Sequence, residues 1–155
     1  MTTGMIPTAS DVVDVLLGVD DPEYPGVSIV DLGLVEAVRA GEDGHVEVDL
    51  IPTFLGCPAL EFIATDVRRA LQHAGFLQPV VRFVDRPVWT TSRITAAGRR
   101  QLASEFTVAV RVGRSAPPCP HCGTMALAET SLFGSMRCRS ISECQACGER
   151  VEIVR

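Results

Sequence analysis

The sequence contains no lysine, one tryptophan, one tyrosine and only three histidines among its 155 residues. The missing lysine excludes Schiff-base catalysis and the lysine that a phosphate-binding loop requires. His45 follows a glycine in a predicted turn, His73 ends a predicted helix, and His121 lies between two cysteines. None of these positions favours the base of a Ser-His-Asp triad, and no cofactor motif is present, so we do not expect an enzyme.

Long apolar runs are also missing. No stretch approaches the roughly 18 apolar residues of a membrane-spanning helix. Residues 1–10 lack the basic and apolar segments of a secretory signal peptide. We therefore expect a cytoplasmic protein without membrane contact. The hydrophobic fraction of 46% is sufficient for a packed core and argues against intrinsic disorder.

Charges of opposite sign are concentrated in different parts of the chain. Residues 1–85 hold 14 acidic residues and 4 arginines, for a net charge of −10, whereas residues 86–114 hold six arginines and one glutamate. The asymmetry favours protein partners over nucleic acid, which selects for a net basic chain. A solvated helix face explains the arginine-rich segment more simply.

Hydrophobic periodicity predicts an α+β fold. Strand 45–51 alternates apolar and acidic residues, and helix 58–74 carries one apolar stripe (Leu60, Ile63, Ala64, Val67 and Leu71). The other predicted elements are a helix at 11–17 capped by Ser10, strands at 34–39 and 80–84, a helix at 95–104 and a short strand within 106–112. This order, with antiparallel pairing, predicts a domain at 1–114, followed by a linker at 113–118 and a cysteine-rich module at 115–155.

The C-terminal module contains two Cys-x-x-Cys-Gly motifs, at Cys119/Cys122 and Cys144/Cys147, separated by 21 residues. Each motif directs two thiolates at one ion, and four thiolates suit tetrahedral zinc or an iron site. Such four-cysteine sites are mostly structural, so we expect zinc that stabilises the module. Cys138 is a fifth cysteine for which three roles stay open: a core thiol, a replacement ligand, or a ligand of an iron–sulfur cluster.

Cys57 lies where the second predicted strand passes into the long helix. A helix N-terminus favours thiolate over thiol, which suits a sensor, a nucleophile or a metal ligand. A small apolar filler is the competing interpretation. Asp21, Glu23 and Asp31 are the acidic residues of the preceding region, and capping or solvation explains each of them individually.

These residues together form a familiar pattern. It comprises Asp21-Pro22-Glu23, residues 28–35, Pro52-Thr53 and Gly56-Cys57-Pro58-Ala59, and it resembles the MIP18-type iron–sulfur assembly family. A second set resembles the D-component family of phenylacetyl-CoA epoxidase systems, which are bacterial multicomponent monooxygenases. This set comprises Trp89-Thr90-Thr91, Gly98-Arg99, Pro117-Pro118, Cys119 to Gly123, Ser131 to Ser135 and Cys138. Together the two resemblances cover roughly residues 10–150.

The resemblance implies a MIP18-like domain, helix-strand-strand-helix-strand-helix, followed by a zinc-ribbon-like module. It also implies a non-catalytic accessory subunit that assists assembly of an iron–sulfur or iron centre in phenylacetate catabolism. Cys57 is then the thiol that handles a transient cluster or metal. Asp21, Glu23, Asp31 and Thr53 belong to the family signature near it, and the tail cysteines, including Cys138, bind metal.

The implied partners are the other epoxidase subunits, especially the iron–sulfur reductase or the di-iron oxygenase, and self-association stays open. The alternative function is a zinc-stabilised adaptor that holds oxygenase components together while Cys57 stays inert. Binding of nucleic acid through the ribbon is not expected, because the module is charge-neutral and Phe133 is its one aromatic residue.

Overall fold

The computed structural model describes residues 6–155, which form two compact units. The N-terminal unit extends to Trp89, and the ribbon unit comprises Thr90–Arg155. The sequence predicts a boundary at residues 114–115 instead. The difference arises because residues 108–110 form a strand that pairs with the C-terminal strand of the ribbon unit. The sequence-based boundary at residue 114 stays a prediction for where the part of the chain that folds independently ends.

The N-terminal unit is a small α+β layer. Its elements are α1 (Ala9–Leu16), β1 (Asp20–Asp21), β2 (Tyr24–Ser28), β3 (Val35–Ala40), β4 (Val46–Leu50), α2 (Leu60–His73) and β5 (Val80–Phe83). The sheet has the order β3-β4-β5, and β1 and β2 form a separate antiparallel hairpin. β3 and β4 are antiparallel, but β4 and β5 are parallel, because α2 returns the chain to the starting end of the sheet. The expectation of antiparallel pairing throughout is therefore wrong for β5.

The helices α1 and α2 of this unit are specified by different features of the sequence. A side-chain cap marks the start of α1, whereas α2 has no side-chain cap and is marked by its apolar stripe. Thr8, not the predicted Ser10, caps α1, and it forms a reciprocal capping box with Asp11. In α2 four residues of the predicted stripe are buried, with Val67 and Leu71 fully inaccessible, and Leu60 at the helix start is half-buried. At 14 residues α2 is the longest helix of residues 6–155, and no helix in this range has the length and apolarity to cross a bilayer.

The alternation in β4 separates a core face from a charged face. Val46, Val48 and Leu50 are fully buried. On the opposite face Asp49 accepts hydrogen bonds from Arg39 (2.7 Å) and Arg82 (2.7 Å), one from each neighbouring strand. The apolar positions hold the sheet against the rest of the unit, and the charged positions join its three strands across the other side.

The ribbon unit begins with a 3₁₀ turn at Thr91–Arg93 and continues with a helix and four strands. These are α3 (Ala96–Phe106), β6 (Val108–Val110), β7 (Leu127–Ser131), β8 (Arg139–Cys144) and β9 (Arg150–Val154). The strand order is β6-β9-β8-β7, with β6 parallel to β9 and the other pairs antiparallel. A small core of Ala109, Cys119, Cys144, Val151 and Ile153 lies directly beneath the cysteine motifs. The fold is thus α+β with a C-terminal ribbon, as predicted.

Candidate metal centre and candidate reactive cysteine

The four motif cysteines of the ribbon unit converge on one point. The Sγ atoms of Cys119, Cys122, Cys144 and Cys147 all lie within 4.8 Å of one another. Cys119 and Cys147 are 3.9 Å apart and Cys122 and Cys144 are 3.6 Å apart, Sγ to Sγ. Tetrahedral zinc with bonds of about 2.3 Å requires sulfurs about 3.8 Å apart. The donor set and its spacing therefore fit zinc, which when bound would join the two motifs and stabilise the unit.

Each motif places its cysteines with the same tight turn. The Gly123 amide donates to the Cys119 carbonyl (2.8 Å), and the Gly148 amide donates to the Cys144 carbonyl (2.7 Å). Both glycines have positive φ, +77° and +78°, and a Cβ at either position would meet no atom within 4 Å. Glycine is thus needed for its backbone conformation and not for space. One cysteine of each pair is buried, and the other faces solvent.

Thr124 links the two motifs through its hydroxyl group. Its Oγ1 lies 3.0 Å from Sγ of Cys122 and 3.5 Å from Sγ of Cys144. Its carbonyl accepts the Cys119 amide (2.8 Å), which fixes the residue in place. Sequence reasoning missed Thr124, although a hydroxyl residue directly after Cys-x-x-Cys-Gly is a readable signal. The hydroxyl is placed to donate to a metal-bound thiolate from either motif.

The pKa values of Cys144 and Cys147 are shifted in opposite directions. The Thr124 hydroxyl, followed by backbone amides, lowers the pKa of Cys144 to about 6. The Glu149 amide acts to lower the pKa of Cys147, but lost solvation and the neighbouring sulfurs raise it to about 12. In a cluster this close, each ionised sulfur opposes ionisation of the next. A cation is therefore what permits all four to be thiolates, and binding it must release protons.

Cys138 lies outside the four-sulfur group. It directly precedes β8, whereas Cys144 ends that strand. Six residues of extended chain separate the two by about 20 Å at ~3.3 Å per residue. Cys138 is half-buried, and its carbonyl accepts the Arg155 amide (3.2 Å). The structure thus does not bring Cys138 into the four-sulfur group, and its role as a core thiol, a replacement ligand or a cluster ligand stays a prediction.

Cys57 occupies a turn in front of α2 in the N-terminal unit. Its amide donates to the Phe54 carbonyl (3.2 Å), and its carbonyl accepts the Leu60 amide (3.4 Å), so the turn leads directly into the helix. The side chain is half-buried. Asp21 and Glu23 lie close enough for their charges to act on the thiol. The fold therefore brings the thiol together with an acidic pair that is distant from it in the sequence.

The expectation that Cys57 is a thiolate is wrong. Burial is the largest influence, and it raises the pKa of Cys57 above its ordinary value. The Ala59 amide acts in the opposite direction, but the carboxylates of Glu23 and Asp21 add to the increase. The helix begins only at Leu60, so the thiol lies one turn before the helix and close to negative charge. Cys57 is consequently held as a neutral thiol near neutral pH.

The remaining signature residues lie in neighbouring loops. Asp21 is buried, and its Oδ1 accepts the Glu23 amide (2.8 Å), which orders the β1–β2 hairpin. Asp31 is half-buried in the turn after β2. The Trp89 indole donates to the adjacent Leu32 carbonyl (2.9 Å) and fixes that turn. Thr53 is exposed in the loop before Cys57. The functional roles of Asp31 and Thr53 stay predictions.

Both units match known protein families. Residues 9–75 match the family described as an iron–sulfur cluster assembly protein, and residues 103–155 match the PaaD zinc β-ribbon domain. The first match contains Asp21, Glu23 and Cys57, and the second contains the four-sulfur group. A crystal structure of the domain of unknown function DUF59 from Bacillus anthracis superposes with a TM-score of 0.58 at 31% identity, covering 62% of this chain and 92% of that chain.

Curated relatives extend these matches along most of the chain. An Escherichia coli protein, named as the putative D component of 1,2-phenylacetyl-CoA epoxidase, is 33% identical over 150 residues, which covers 92% of this chain and 90% of that protein. A Porphyromonas gingivalis protein named Fe-S protein maturation auxiliary factor is 33% identical over 103 residues, which covers 66% of this chain and 97% of that protein. The chain therefore belongs to the iron–sulfur cluster assembly family, in the group that carries a PaaD-type zinc β-ribbon as its second unit.

Proposed function

We propose that the chain is a non-catalytic accessory component that helps to assemble an iron–sulfur or iron centre for a phenylacetyl-CoA epoxidase system. The observation that carries the proposal is the grouping of Cys57 with Asp21 and Glu23 in a unit that matches the iron–sulfur assembly family. Similarity to the epoxidase D component along most of the chain supports the choice of system. The iron–sulfur reductase and the di-iron oxygenase are the proposed recipients.

The raised pKa of Cys57 suits a thiol that holds metal briefly. Asp21 and Glu23 attract an incoming cation such as Fe²⁺, and the cation then displaces the thiol proton to solvent as the sulfur–iron bond forms. One thiol and two carboxylates make a weaker site than four thiolates, so release to a recipient is not prevented by tight binding. The same acidic residues that suppress the free thiolate therefore favour loading by a cation.

The ribbon has a different part in this proposal. Its four sulfurs leave no open coordination position on a tetrahedral ion, which is the pattern of structural zinc sites. The zinc then maintains the second unit and takes no part in the handling of iron. Under this division, loss of zinc and loss of iron transfer are separate defects.

Anaerobic reconstitution of the purified full chain with Fe²⁺ and sulfide tests the role of Cys57. We expect sulfur-to-iron charge-transfer absorption in the wild-type protein and its loss in Cys57→Ser, while both retain one zinc per chain. Cys138→Ser is the matched control, because this cysteine is also half-buried and lies outside the four-sulfur group. Equal absorption in wild type and Cys57→Ser would contradict the proposal.

A zinc-stabilised adaptor is the second candidate, and the closed four-sulfur group of the ribbon is the observation that favours it. In that case the chain holds oxygenase components together, and the thiol is a packing residue. Wild-type protein that contains only zinc and shows no charge-transfer absorption after reconstitution would support the adaptor. Retention of component binding by Cys57→Ser is expected under both functions, so the spectrum is the discriminating measurement.

A further inference from the structure

The loop between β7 and β8, residues 132–138, presents two large apolar side chains to solvent. Leu132 is 56% exposed and Phe133 is 64% exposed. Adjacent exposed apolar residues at the tip of a hairpin have no role in the core of their own unit. Contiguous exposed apolar groups with a polar rim are characteristic of protein contact sites.

Interactions with β8 and β9 fix the backbone of this loop. The carboxylate of Glu152 accepts the Ser135 amide (3.0 Å), the Ser135 hydroxyl (2.9 Å) and Arg139 Nη1 (2.9 Å). Only 10% of the Arg139 side chain is exposed, so this ion pair is largely removed from water. The Gly134 amide donates to the Arg139 carbonyl (2.8 Å), and a Cβ at Gly134 would lie 3.2 Å from Cβ of Arg139. The loop is therefore packed closely onto the sheet.

Positive charge accompanies the apolar pair. The Arg155 guanidinium lies over the Phe133 ring, 5.9 Å from its centroid, and donates to the Leu132 carbonyl. Arg137 is exposed within the same loop. The surface at this loop therefore combines two apolar side chains with the guanidinium groups of Arg137 and Arg155.

We propose that the 132–138 loop docks on another protein component of the oxygenase system, with Leu132 and Phe133 in an apolar pocket rimmed by carboxylates. The arginines supply the charge complement, and the preorganised backbone limits the entropy lost on binding. Two side chains are too few for stable attachment to a bilayer, which requires a broader apolar face. The choice of partner rests on the proposed function, but the loop lies at the opposite end of β8 from the zinc site and can be altered separately.

The test measures binding of the zinc-loaded full chain to the purified reductase and to the purified oxygenase by calorimetry. We expect wild-type protein to bind one of them, and Phe133→Ser and Leu132→Ser each to weaken that binding by about tenfold or more. Met125→Ser is the matched control, because Met125 is 68% exposed in the same unit but follows the first cysteine motif. It should bind as wild type does. Zinc content and thermal unfolding confirm that each variant is folded.

Four results would overturn the docking proposal. The first is an affinity of Phe133→Ser within twofold of that of wild type. The second is the absence of wild-type binding to either component. The third is sedimentation of wild type, but not Phe133→Ser, with vesicles that contain anionic lipid. The fourth is a dimer of the chain that Phe133→Ser dissociates. If any of these results occurs while the wild-type protein still shows the iron–sulfur spectrum, the docking proposal fails and the proposed role of Cys57 stands. If the wild-type protein shows no such spectrum but docks as expected, the role of Cys57 fails and the docking proposal stands.

Discussion

The two units of the chain are stabilised in different ways. Among the described residues, most of the largest fully buried side chains belong to the N-terminal unit, including Leu16, Ile29, Leu50 and Leu71. In the ribbon unit the core under the cysteine motifs consists of three apolar residues and two of the cysteines. A sheet with so small a core depends on a further crosslink, and the four-sulfur group supplies the position for one. Apolar burial thus sustains the unit with the candidate reactive thiol, and we expect the cysteine-bearing strands of the other unit to depend on metal as well as on apolar burial.

The largest expected effect is loss of the ribbon fold when its metal is removed. Cys122→Ala should release zinc and abolish the protection of β7–β9 amides against hydrogen exchange, because metal binding there is folding energy. The amides of β3–β5 should stay protected. Cys138→Ala is the control, since Cys138 lies outside the four-sulfur group. Equal zinc loss in both variants would show that the four-ligand assignment is wrong.

Truncation tests where the two units separate. A fragment of residues 1–89 should unfold cooperatively without zinc, because the sheet β3-β4-β5 and its helices are complete within it. A fragment of residues 1–114 should be no more stable, since β6 has lost its partner β9. Greater stability of the longer fragment, measured by urea unfolding, would instead favour the boundary at residue 114.

Asp49 tests the charged face of the N-terminal sheet. Asp49→Asn should reduce the free energy of unfolding by about 1–2 kcal/mol, because Arg39 and Arg82 each lose a charged hydrogen-bond partner. Glu47→Gln is the control on the same face. Glu47 is more exposed than Asp49, so we expect a cost below about 0.5 kcal/mol for it. Equal losses in urea unfolding would contradict the assignment of Asp49 as the central acceptor.

The contribution of Asp49 should also depend on pH. Burial acts to raise the pKa of Asp49, but Arg39 and Arg82 outweigh burial and hold the pKa below its ordinary value of 3.8. A carboxyl group with a lowered pKa in the folded state stabilises the fold above its unfolded pKa and loses that effect as the pH falls. The difference between wild type and Asp49→Asn should therefore shrink below about pH 4. A difference that stays constant down to pH 2.5, roughly a full unit below the ordinary Asp pKa, would exclude this cause.

The smallest effect concerns the hydroxyl of Thr124. Thr124→Val removes the donor to Cys122 and Cys144 with little change in shape, and we expect zinc affinity to fall by about tenfold. Thr124→Ser keeps the hydroxyl and should restore most of the affinity. Competition with a chromophoric chelator measures both. If Val and Ser variants bind zinc equally, the hydroxyl does not support the thiolates.

The strongest sequence signals are the ones that local chemistry determines. The stripe of α2 and the spacing of the cysteine motifs predict a helix with one buried face and a four-sulfur group, and both are present. The membership of β6 in the ribbon sheet was not predictable in this way, since it depends on a long-range contact. The parallel pairing of β5 was missed although the strand-helix-strand order indicates it. The neutral state of Cys57 was also missed, because Asp21 and Glu23, which contribute to it, are brought near only by the fold.

The central claim is that Cys57 handles metal while the ribbon only maintains structure. It is tested most directly by the iron content of the reductase and oxygenase isolated from a strain that carries Cys57→Ser and grows on phenylacetate. We predict slow growth and components under-loaded with iron, although the variant chain keeps its fold and one zinc. Normal growth with fully metallated components would contradict the account and favour the adaptor.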